Sequence, residues 1–354
     1  MSSVDRYARP LEEVEWEIPG AFSTMFEWEY EKGSEALRRL YEKGKNLQWN
    51  ATSRIDWSQD LDPENPQGLP DEAVTLFGSP VWDRLTAKER AKVRYHTQAW
   101  QNSQFLHGEQ GALICTAKIV QQVPSIDAKY YAATQVVDEA RHVEAYSRLL
   151  HEKFELAYPI TPPLKRLLND VLSDSRWDMT YLGMQVLVEG LALAAFGQIR
   201  DTAQNPLAAA VNAYVMQDEA RHVAFGRLTL RDYYPQLSDK ERDEREEFAV
   251  EACYLMRDRF LSEEVWETIG LPVEECMSWV SESERMRHFR SELFSRIVPT
   301  IKDIGLWGPR IRRAYANMGI MGFADVDAAA LQANDERVAE EFDARRTGAP
   351  HPAH

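Results

Sequence analysis

Residues 138–142 read DEARH, and residues 218–222 read DEARH again. A glutamate and a histidine three positions apart share one face of a helix, so Glu139 with His142, and Glu219 with His222, can aim at a common target. A single E-x-x-H is a common surface pattern and decides nothing alone. Two further glutamates change that. Glu109 precedes Glu139 by thirty residues (139 − 109) and Glu189 precedes Glu219 by thirty (219 − 189), both within apolar sequence, FLHGEQGALICTA and GMQVLVEGLALAAFG. Pro124 lies fifteen residues from each member of the first pair, and the turn at 204–206 lies about fifteen from each member of the second. In an antiparallel helical hairpin, equal distance from the turn means equal height, about 20 Å up at 1.5 Å per residue.

Two such hairpins packed by their apolar faces gather Glu109, Glu139, His142, Glu189, Glu219 and His222 in the middle of a four-helix bundle. Four buried carboxylates repel one another, and each carries a desolvation cost of several kcal/mol. The apolar stretches around Glu109 and Glu189 hold no lysine except Lys118. Two divalent cations cancel the four charges, and imidazole with carboxylate oxygen suits iron or manganese. A metal-bound imidazole usually donates its other N–H to a carboxylate. Asp138 and Asp218 are placed to accept it across the pseudo-twofold, and Arg141 and Arg221 can neutralise those aspartates.

The elements that must position these residues read as all-α, a four-helix bundle of two antiparallel hairpins with extra helices at both ends. Residues 25–45 form an amphipathic helix, and 48–70, with two tryptophans among Asp, Pro, Asn and Ser, a wrapping segment without regular structure. Helices follow over 87–122, 126–157, 175–203 and 207–233, punctuated by VPSID, YPITPP and QNP. Further helices are expected at 239–264, 281–302, 308–317 and 325–344. The division is therefore 1–86 for the N-terminal helix and wrap, 87–235 for the bundle, 236–344 for accessory helices and 345–354 for a disordered tail.

Composition narrows the function. The 354 residues carry a formal net charge of −16 and no basic block, which disfavours a nucleic-acid partner. No signal-peptide core and no uncharged run of bilayer length are present, so a cytoplasmic protein without a membrane partner is expected. Cys115, Cys253 and Cys276 are scattered, with no C-x-x-C, and form neither a disulfide framework nor a thiolate metal site.

The stretches GEQGAL at 108–113, DEARHVEAY at 138–146, VEGLALAAF at 188–196 and DEARHVAFG at 218–226 resemble the ferritin-like di-iron carboxylate superfamily, within its oxygen-activating branch. That branch holds alpha subunits of bacterial multicomponent monooxygenases, ribonucleotide reductase small subunits and arylamine N-oxygenases. The likeness covers roughly 87–235. Leu193 stands where the multicomponent hydroxylases carry a threonine, and Val215 where the N-oxygenases carry a seventh metal-ligating histidine. Tyr146, four residues after His142, sits where the reductase small subunit keeps its radical-bearing tyrosine.

The resemblance implies a non-haem di-iron oxygenase or oxidase that activates O2 to hydroxylate or N-oxygenate a small, largely apolar organic molecule. Two iron ions are expected as cofactor, with a manganese–iron pair as the variant, and O2 as co-substrate. Residues a turn from the ligands, Phe105, Ala112, Tyr146, Leu193, Phe196 and Phe225, are the expected substrate pocket. His107 should face away from the metals. No dinucleotide fingerprint or cysteine cluster is present, so electrons are expected from an external reductase or ferredoxin. The alternatives are a radical-generating protein that uses Tyr146, and ferritin-type iron handling. A monomer or homodimer fits enzyme or radical generator; a large shell fits storage.

Overall fold

A computed structural model of the chain describes residues 3–10, 17–20, 22–28, 30 and 33–347. Helix α1 spans Glu35–Asn46, α2 Ala87–Gln122, α3 Ile126–Arg148, α4 Pro162–Ser173, α5 Trp177–Thr202, α6 Pro206–Tyr233 and α7 Asp239–Asp258. Shorter helices follow, and the last, α8, spans Ala328–Thr347. Among the described residues a single bridge, Tyr7 to Ala157, is the only extended pairing.

Local chemistry sets the boundaries. Thr86 and Glu89 form a reciprocal capping box at the start of α2, and Ser238 with Glu241 does the same for α7. Asn205 accepts from the Leu207 and Ala208 N–H groups, and Pro206 occupies the first position of α6. The hairpin of α2 with α3 and that of α5 with α6 pack along their lengths, and α3 meets α6 between them. Helix α1 covers α3 and α6, α7 covers α4 and the middle of α5, and α8 covers α6. The wrap is tied to the α5–α6 turn by backbone bonds between Gln67–Gly68 and Gln204–Asn205.

Four expectations need correction. The first helix begins at Glu35 rather than 25, because Ser34 caps it and a side chain at Gly33 would collide with Asp127. Helix α3 gives way to a π turn over Leu149–Phe154 and stops at Glu155, whose φ is +52°. A helix absent from the expected set, α4, lies between α3 and α5, and Pro162 and Pro163 start it, where their missing N–H groups cost nothing. Helix α8 runs on to Thr347, while 348–354 of the expected tail lie outside the described residues.

Helix α5 carries the feature that matters most for the site. Its middle, Tyr181–Val188, is wound as a π-helix immediately before Glu189. Such segments widen the turn and re-aim the side chains that follow. Among the described residues it is also the one helix long and apolar enough to cross a membrane, yet 83% of its apolar window is buried inside the protein. An apolar core helix with one buried glutamate needs a reason for that glutamate.

Candidate metal centre

All six predicted donors converge. Glu109 comes from α2, Glu139 and His142 from α3, Glu189 from α5, and Glu219 and His222 from α6, and every one is buried. Glu109, Glu139, His142 and Glu219 offer atoms within 4.8 Å of one another, and so do Glu139, Glu189 and His222. Glu139 belongs to both groups. His142 Nδ1 lies 3.1 Å from Glu109, 3.3 Å from Glu139 and 3.1 Å from Glu219. His222 Nδ1 lies 3.1 Å from Glu139 and 3.5 Å from Glu219. Gln135, one turn before Glu139, donates its Nε2 hydrogens to Glu139 (2.9 Å) and Glu189 (3.1 Å).

The outer face of each imidazole is held by the opposite repeat. His142 Nε2 is 3.0 Å from Asp218, and His222 Nε2 is 3.2 Å from Asp138. A proton on Nε2 donated to the aspartate leaves the Nδ1 lone pair facing the glutamates. Arg141 donates to Asp138 at 2.5 Å and to Asp218 at 2.9 Å, and Arg221 donates to Asp218. Gln48 reaches Asp138 at 2.7 Å and the Trp49 indole reaches Asp218 at 2.8 Å, while Arg141 lies over the Trp49 ring. Two arginines thus balance two aspartates, and among the described residues no lysine or arginine forms an ion pair with the four glutamates. Lys118 does not reach them; it caps the end of α4 by donating to the carbonyls of Val171, Leu172 and Asp174.

The donor set fits two metal ions. Glu139 Oε2, Glu189 Oε2, both oxygens of Glu219 and His222 Nδ1 are buried without a well-directed hydrogen bond. Orphaned acceptors that all point at one place are what a cation would satisfy.

Electrostatics of the metal-free cluster say the same. Burial, then the charge of Glu219, pushes Glu109 well above the usual carboxylate range, and the same causes push Glu189 up. Burial works against charge on His142 and His222, but the surrounding carboxylates raise both well above the ordinary imidazole value. For all four groups the folded chain holds protons more tightly than the unfolded chain. The stability these four groups contribute to the metal-free protein is therefore lost as pH rises above the ordinary carboxylate and imidazole values and through the raised ones. Metal ions displace those protons. The gap in melting temperature between iron-loaded and metal-free protein is expected to widen between about pH 5.5 and pH 8; a constant or narrowing gap would mean that these groups do not bind the metal.

A cavity reaches the cluster. It holds about 400 Å³ of space between atoms and is lined by Phe105, Ala112, Val188, Ala192 and Phe196 together with Glu109, Glu189 and Glu219. Leu193 and Phe225, expected there, are not. At 100° per residue Ala192 and Val188 sit on one flank of Glu189 and Leu193 on the other, and the cavity lies on the first. Phe225 packs instead against Tyr131 and Tyr181, with centroids 4.5 and 5.0 Å away. Tyr146 also misses the lining, lying one layer behind Phe105 and Phe196, with its hydroxyl donating to Asn212 at 3.0 Å. His107 turns away and bonds the Tyr158 carbonyl at 2.8 Å. Val215 is fully buried and offers no donor.

Gln48, Trp49, Gln135 and Asn212 did not stand out in the sequence. Gln135 had a signal, its place four residues before Glu139. Gln48 and Trp49 had none, since they lie 90 and 169 positions from the aspartates they bond.

The family described as P-aminobenzoate N-oxygenase AurF matches residues 30–305. No protein of curated function matches the chain. Among solved structures it is similar to a protein with aldehyde deformylating oxidase activity from Synechococcus, at 18% identity over 63% of this chain and 96% of that one, with a TM-score of 0.45. It is likewise similar to a variant R2-like ligand-binding oxidase with an anaerobically reconstituted Mn/Fe cofactor, at 18% identity over 77% of this chain and 94% of that one, with a TM-score of 0.48.

Proposed function

The chain belongs to the P-aminobenzoate N-oxygenase AurF family, and from that premise we propose how this non-haem di-iron, oxygen-activating oxidase uses its residues. Glu109, Glu139, His142, Glu189, Glu219 and His222 hold the two irons. The observation that supports this most is the set of buried, orphaned carboxylate oxygens drawn from four helices and gathered within metal-binding distance of one another. Two irons bound there supply the electrons that reduce O2. Asp138 and Asp218 fix the imidazoles, and Gln135 ties the Glu139 and Glu189 carboxylates together. Phe105, Val188 and Phe196 keep water from the reacting face and favour a small, largely apolar substrate.

Hydroxylation or N-oxygenation is the assigned reaction class. With Val215 in place of the histidine that the N-oxygenases carry, this ligand set has six members rather than seven. Residues 87–235 form the catalytic bundle, with 1–86 and 236–344 as its cover. We place the protein in the cytoplasm, consistent with three free, buried thiols, as a monomer or homodimer. The test is to load the protein with iron, reduce it and follow O2. Uptake that accelerates with a small aromatic or aliphatic substrate supports the reading. A tyrosyl EPR signal abolished by Tyr146→Phe would shift it to the radical-generating alternative, and a large shell on size exclusion to iron storage.

Electrons come from an external reductase or ferredoxin, and we assign their entry to Trp49. His142, Asp218 and the Trp49 indole form one hydrogen-bonded line from the centre to a half-buried ring. Trp49→Phe keeps the packing and loses the N–H. Reduction of the loaded protein by an external donor is expected to slow about ten-fold or more with iron content unchanged; an unchanged rate would place the entry elsewhere.

A further inference from the structure

A second space, about 780 Å³ between atoms including what is open to solvent, adjoins the first and is bounded by Trp100, Phe260, Phe289 and Leu293. Gln104, Phe105, Leu191 and Arg259 line both, so they form the neck between the outer space and the glutamates. Gln104 is occupied at both ends: its Nε2 donates to the Pro159 carbonyl and its Oε1 accepts from the Thr161 N–H, each at 2.9 Å. Phe105 and Leu191 are apolar.

Arg259 is different. It is only 8% exposed, and among the described residues its guanidinium makes no hydrogen bond or ion pair, with Nε buried and unpartnered. Its one neighbour of note is the Phe260 ring, 5.5 Å away. The other buried arginines all have partners. Arg141 and Arg221 hold the aspartates of the metal centre, Arg227 holds Asp303, Arg245 holds Asp178 in a bidentate pair, and Arg290 binds the Val280 and Ser281 carbonyls. Burial alone pushes the Arg259 pKa down to about 10, with no carboxylate to offset it. A guanidinium nevertheless stays charged at neutral pH. A fixed, desolvated positive charge on an apolar path asks for an anion.

We propose that Arg259 is the anchor for a carboxylate on the substrate, seated at the neck with the molecule's apolar body turned inward towards Glu109 and Glu189. A single planar fork matches one carboxylate in charge and geometry. A phosphate would bring a second charge for which the neck has no donor. The assignment rests on the oxidase reading only in calling the ligand a substrate; the site itself needs no metal.

The test uses the metal-free, full-length protein and titration calorimetry with benzoate and octanoate, each beside its primary amide. One acid or both is expected to bind about ten-fold or more tightly than its amide. Arg259→Met should weaken that acid by a similar factor and leave the amide unchanged. Arg259→Lys covers failure of the methionine variant to fold, and should keep a reduced acid preference because the fork is lost. Acids bound no better than amides by the wild type, including no binding of either, would overturn the proposal. So would an acid preference that survives undiminished in either variant. Iron measured on the same preparations separates the two readings. Two irons without acid preference removes only the Arg259 anchor, whereas acid preference without iron removes the oxidase reading and leaves the anchor.

Discussion

Glu139→Ala is expected to strip the protein of both metals, leaving well under one iron per chain and no O2 uptake above background. Glu139 is the carboxylate common to the two donor groups, with Oε1 3.1 Å from His222 and Oε2 3.3 Å from His142. Its place among imidazoles holds it charged, below the usual carboxylate range, although burial works the other way. With metals held as proposed, removing it would take a ligand from both donor groups and leave Gln135 with one carboxylate partner instead of two. Losing one ligand of a set, or even a group that orients one, commonly costs a factor of about 10–100 in metal affinity, and here two sites lose theirs together. Iron analysis and an oxygen electrode on the same sample decide it; a variant that keeps two irons would exclude Glu139 as a shared ligand.

Asp218→Asn should produce the largest loss of stability. Asp218 accepts from Arg221, Arg141, Trp49 and His142 at once. Burial opposes its charge, but Arg221, His142 and Arg141 hold its carboxyl below the ordinary range. Neutralising it leaves two buried guanidiniums sharing one aspartate, and an uncompensated buried charge costs about 3–5 kcal/mol. The sign in pH follows. A carboxyl whose folded pKa is depressed contributes stability that is full above the unfolded value, near 3.9, and disappears only as pH falls through the lower folded value. Denaturant melts of wild type and variant should therefore differ fully at neutral pH and converge in strong acid. Equal stability at neutral pH would mean that the aspartate is not charged in the fold.

The convergence of the six side chains was legible because the parts repeat. Two E-x-x-H pairs and two glutamates, set thirty residues apart about a turn, can meet only in one way once helices are straight and turns sit at proline. The crossing of His142 to Asp218 and His222 to Asp138 followed from the same symmetry. The cavity was less legible, because helical spacing names the residues near a ligand but not the flank of the ligand on which the opening lies. The opening lies on the flank of Glu189 that carries Val188 and Ala192, and Leu193 falls on the other flank. Long-range contacts made from outside the repeat were not legible at all. Nothing in QWNATSR says that Gln48 and Trp49 reach Asp138 and Asp218, and nothing near Arg259 says that its neighbours leave it unpaired.

The most direct test of the central claim is metal content after growth with ample iron and manganese, measured per folded chain for the wild type and for Glu139→Ala. Close to two metals per wild-type chain, falling to almost none in the variant, is the result expected here. Wild-type protein that folds and stays soluble with neither metal, or that carries metal undiminished by the substitution, would contradict it.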